Sequence, residues 1–65
     1  MCEQEILRKD CKIVKVITDN EFSFEDMAGL IDVKIGSFYN WLNNAYDIKQ
    51  SKYKILRSWV NDILY

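Results

Sequence analysis

A chain of 65 residues with 49% hydrophobic side chains, nine aromatics and no proline has room for one domain around a small core. No apolar run approaches the roughly 18 residues of a membrane span, and Met1-Cys2-Glu3-Gln4-Glu5 lacks the basic start of a signal peptide, so the cytoplasm is the expected location. The formal charge is −1 and histidine is absent, so there is no Ser-His or Cys-His pair and no enzyme is expected.

The first predicted helix covers about 2–18. Ile6, Leu7, Cys11, Ile13, Val14 and Ile17 gather on one half of it at about 100° per residue, with Glu5, Arg8, Lys12 and Lys15 on the other. The β-branched run Lys12-Ile13-Val14-Lys15-Val16-Ile17-Thr18 favours a strand in isolation, but no second strand is available to pair with it. Cys2 and Cys11 stand nine apart with no histidine to complete a zinc site, so both read as reduced helix residues. No metal, cofactor or small-molecule substrate is expected.

After the polar break Asp19-Asn20-Glu21, a second helix is predicted over 24–31. Ser23 is its N-cap, Glu25 and Asp26 lie in its first turn, and Phe22 and Met27 take the positions of a hydrophobic staple. Asp32-Val33 makes a short break before a third helix over 34–44. On that helix Phe38, Trp41 and Leu42 share an inner face, while Tyr39, Asn40 and Asn43 share the outer one. A fourth helix is predicted over 49–64, giving an all-α four-helix bundle with a central helix-turn-helix.

Charge is unevenly distributed. Residues 1–32 carry four basic and eight acidic side chains, whereas 33–65 carry Lys34, Lys49, Lys52, Lys54 and Arg57 against Asp47 and Asp62. A chain of this kind can turn a positive face to phosphate while its total charge stays negative.

From Ser23 to Leu42 the sequence resembles the lambda-repressor-like helix-turn-helix family, which includes small phage and mobile-element regulators. The resemblance rests on Ala28 where the helices cross, Ile31 three residues on, Asp32 as a turn residue tolerant of positive φ, Val33 closing the turn, and Phe38 and Trp41 as buried anchors. Two positions depart from the family's pattern. Asp32 stands where most members have glycine, and Phe24 stands where relatives often have a glutamine touching DNA.

The resemblance implies a transcriptional regulator, such as a repressor, that reads double-stranded DNA with the third helix in the major groove. Lys34, Ile35, Gly36, Ser37, Tyr39, Asn40 and Asn43 are then the candidate DNA-binding residues. Asn40 and Asn43 suit adenine, Lys34 suits guanine or phosphate, Tyr39 and Ile35 suit a thymine methyl, and Ser37 suits phosphate. The fourth helix carries an apolar arc wider than one small bundle is expected to bury. A homodimer is therefore expected through Trp59, Ile63 and Tyr65. The competing expectation is a helix-turn-helix domain turned to a protein partner, as in an antirepressor or an inhibitor of a host factor. The low net charge, the acidic second helix and an exposed Phe24 favour it.

Overall fold

A computed structural model describes residues 3–65 as four helices: α1 (Glu3–Ile17), α2 (Phe24–Leu30), α3 (Ile35–Leu42) and α4 (Gln50–Leu64). The all-helical bundle is as expected, and among the described residues there is no strand. The placement expected for Cys2 lies outside the described residues. No described helix is long and apolar enough to cross a membrane.

Three helices end in the same way. Asp19, Asp32 and Asn44 adopt left-handed backbone, with φ of 55°, 56° and 65°. After α1, Asp19 N–H donates to the Val16 carbonyl and Asn20 N–H to that of Lys15. After α2, Asp32 N–H donates to Gly29 and Val33 N–H to Ala28; after α3, Asn44 N–H donates to Trp41 and Ala45 N–H to Asn40. These are paired Schellman closures, with Asp or Asn where glycine is commonest. In the second, the longer bond runs from the Val33 N–H to the Ala28 carbonyl and closes the turn between α2 and α3. The third also stops α3 at Leu42, two residues before the predicted end.

The start of α2 is fixed by a capping box. Ser23 Oγ accepts from the Asp26 N–H at 3.3 Å, and Asp26 Oδ2 accepts from the Ser23 N–H at 2.8 Å. Phe22, just before the cap, packs edge-on against Trp59 with ring centroids 5.4 Å apart.

All four helices feed one core: Leu7, Cys11 and Val14 from α1, Met27 and Ala28 from α2, Phe38, Trp41 and Leu42 from α3, Leu56 and Val60 from α4, with Ile31 and Ile48 from the connections. α1 packs on α4, and α2 packs on both α3 and α4. The Cys11 thiol is buried, and loss of hydration pushes its pKa up to about 12. Arg57 beside it acts in the opposite direction, and Asp10 adds to the rise.

Two apolar faces differ from expectation. α1 is rotated by roughly 60° from the predicted face, so Gln4, Arg8 and Asp10 are buried while Ile6, Ile13 and Ile17 are exposed. Arg8 was expected on the polar half. Its inward position follows from bonds to α3 described below. On α4, Trp59 and Ile63 are half-buried against the core of their own chain, together with Tyr53 and Leu64. Because α4 packs against both α1 and α2, it uses a broad arc within one chain. That removes the width argument for a dimer at Trp59 and Ile63; of the three expected interface residues, Tyr65 alone is exposed, at 89%.

Candidate nucleic-acid interface

The α2–turn–α3 unit is held from three sides. Ala28 is buried at the α2 end of the turn, and Phe38 and Trp41 anchor α3 beneath it, their rings 5.3 Å apart. Lys52 reaches from α4 to the turn, where Nζ donates to the carbonyls of Ile31 (2.8 Å) and Asp32 (3.3 Å). A cation at these carbonyls also complements the negative end of α2.

Two side chains of α1 fasten the other end of α3. Gln4 Oε1 accepts from Trp41 Nε1 at 2.9 Å and from the Ile48 N–H at 3.0 Å, while Gln4 Nε2 donates to the Ile48 carbonyl at 2.9 Å. Arg8 Nε donates to the Trp41 carbonyl, and its guanidinium stacks 5.2 Å from the centre of the Trp41 ring. Arg8 Nη2 also donates to the Tyr46 carbonyl and pairs with Asp47 at 3.2 Å. Tyr46 completes the link by donating its hydroxyl to the Ser37 carbonyl at 2.8 Å. Sequence reading did not single out Gln4 or Tyr46. The available signal was Trp41, because a buried indole N–H needs an acceptor.

With its inner face and both ends held, α3 presents a polar outer face. Gly36, Tyr39, Asn40 and Asn43 are all exposed and fall within about 100° of arc at ideal helical spacing. Ile35 stands at its edge, 36% exposed. Lys34 is the exposed N-cap residue, with extended backbone and no side-chain capping bond. Ser37 is half-buried on the far flank, beside Tyr46. The face thus unites Gly36, Tyr39, Asn40 and Asn43, with Lys34 and Ile35 at its N-terminal edge and Ser37 off to one side. α3 itself contains no acidic residue.

The surroundings differ from those read in the sequence. Phe24 is half-buried, its ring centroid 6.1 Å from that of Phe38 and 6.0 Å from that of Tyr39. The Lys15 ammonium lies over it, 4.4 Å from the ring centre. Phe24 is therefore a packing residue and not an exposed apolar anchor. The basic second half also contributes less surface charge than its count suggests. Lys52 serves the turn, and Arg57 pairs with Asp10 at 2.8 Å and bonds Asn61. Lys34, Lys49 and Lys54 remain exposed there. Compared with models of known protein families, with curated proteins and with solved structures, the chain has no significant match.

Proposed function

We propose that this chain is a sequence-reading DNA-binding protein that regulates transcription by placing α3 in the major groove of double-stranded DNA. The observation that carries the reading is the outer face of α3. Asn40 and Asn43 stand exposed, one turn apart, on a short helix held by Lys52 at the turn and by Gln4 and Arg8 at its far end. A side-chain amide in that position can pair with the N6 and N7 edge of adenine. Tyr39 supplies a hydroxyl and a ring edge, Gly36 permits close backbone approach, and Lys34, exposed at the N-cap of α3, is long enough to reach a phosphate or a guanine. The similarity of residues 23–42 to the lambda-repressor-like family supports the same role, in a regulator of the phage or mobile-element type.

The test is binding to duplexes selected from a random pool. Asn40→Ala and Asn43→Ala should each weaken binding to the selected duplex by about 1–3 kcal/mol, against little change on unselected DNA. Equal affinity of parent and variants for the selected duplex excludes groove reading by these residues.

A second reading, binding of a protein partner, is favoured by one feature of the surface. Ile6, Ile13, Val16 and Ile17 leave an apolar strip exposed on α1, and Arg8, Lys52 and Arg57 are engaged within the fold. On that reading no duplex is enriched by selection, and substitution of the α1 strip, not of α3, abolishes the activity.

A further inference from the structure

We infer that Lys12 and Lys15 of α1 form a second, non-sequence-reading part of the interface, a pair of cations that grips one phosphate strand beside α3; this assignment rests on the DNA reading above. The flank of α1 that carries them lies against the α3 side of the molecule at both ends. Near the start of α1, Arg8 bonds the Trp41 carbonyl at the C-terminal end of α3. Seven residues later, about 10 Å along the helix axis, Lys15 lies over Phe24, whose ring meets that of Tyr39 on the α3 outer face. Lys12 lies between them, four residues after Arg8 and three before Lys15, and is therefore on the same flank.

Neither ammonium is neutralised. The ion pairs of the described residues are Arg8–Asp47 and Arg57–Asp10, and Lys15 rests on an aromatic ring instead of a carboxylate. Lys12 is exposed, and the long stem of Lys15 lets its ammonium leave the ring face without disturbing α1. Arg8, in contrast, is buried and committed to α3, so it orients this flank without contributing charge to the surface. A strand of DNA running past the Tyr39 edge of α3 therefore meets two cations in succession, while the amides of Asn40 and Asn43 face the bases. Phosphate contacts of this kind fix register and orientation and carry no sequence information.

The experiment is the salt dependence of binding to a mixed-sequence DNA duplex, followed by fluorescence anisotropy at several salt concentrations. Each phosphate contact contributes about 0.9 to the slope of log K against log salt. Lys12→Gln and Lys15→Gln should each lower the magnitude of the slope by about one, the double variant by about two, and Lys15→Arg should keep the parent slope. Lys54→Gln makes the same charge change on α4, at an exposed site, and should leave the slope as it was. Parent-like slopes in Lys12→Gln and Lys15→Gln, or an equal fall in Lys54→Gln, overturn the assignment alone. A parent chain without salt-dependent DNA binding overturns both the assignment and the function on which it rests.

Discussion

Replacing Gln4 by leucine tests the polar link between α1 and α3, and the structure gives the size of the effect. Gln4 is 9% exposed, and its amide satisfies three groups at once: the Trp41 indole N–H, the Ile48 N–H and the Ile48 carbonyl. Leucine is close to glutamine in volume, ends one bond short of its amide oxygen and nitrogen, and satisfies none of the three groups. Each buried group left unpaired costs about 1–3 kcal/mol, and the added apolar burial offsets about 1 kcal/mol of that. Ile48 is flanked by exposed Asp47 and Lys49, so water can recover part of its loss, whereas Trp41 is wholly buried. A net loss of about 3 kcal/mol follows, within a total stability of about 3–10 kcal/mol for a chain of this size. At 4–8 °C per kcal/mol, the melting temperature should fall by about 12–24 °C, read from the helical circular-dichroism signal. Trp41→Phe removes the indole donor on its own. In the double variant Gln4→Leu should therefore cost about 1 kcal/mol less than in the parent background. A Gln4→Leu protein melting within about 2 °C of the parent, or two losses that simply add, refutes this account of how α3 is held.

Two other substitutions separate packing from function. A Cβ built on Gly36 meets nothing within 4 Å and its φ is not positive, so Gly36→Ala should raise the melting temperature through about 0.5–1 kcal/mol of helix propensity. The same methyl should weaken DNA binding, because it stands between the α3 backbone and the groove; a stabilised variant with parental affinity means the backbone does not come close. Cys11 should resist alkylation in the folded chain and react once the chain is unfolded in urea. Its folded pKa is raised, so the stability it contributes is fully present below the ordinary value of 9.0 and is lost as pH climbs from there toward about 12. Cys11→Val should therefore flatten part of the alkaline decline in urea midpoint, and an unchanged decline means that the thiol does not titrate as its burial requires.

The start of α2 and the α2–α3 turn were legible because each has a local chemical cause, whereas α3 and α4 begin at Lys34 and Lys49 without a side-chain cap bond. Ser23 caps α2 through its own side chain, and Asp32 takes the left-handed backbone its place in the motif implied. Asp19 and Asn44 use the same device, which is also why α3 stops early. The facing of α1 was not legible. Its apolar residues lie on two adjacent stripes, Ile6–Ile13–Ile17 and Leu7–Cys11–Val14, and periodicity weights the two alike. The choice between them comes from outside the helix. A buried indole at Trp41 and the main chain at Ile48 need partners, and Gln4 and Arg8 reach them only when the Leu7 stripe faces inward.

The charge pattern shows why counting residues along the chain misjudges where free charge stands on the surface. The count put the positive surface in residues 33–65, yet Lys52 donates to the turn and Arg57 to Asp10. In residues 3–32 the acids are partly engaged as well, Asp10 with Arg57 and Asp26 with the N-cap of α2. Lys12 and Lys15 keep their charge unpaired there, inside the half that counts as acidic. The outer face of α3 was readable because it depends only on which residues share a helix face. The cations around it were not, because a long side chain selects its partner in three dimensions, and a lysine bonded to two carbonyls attracts phosphate far less than one standing in water.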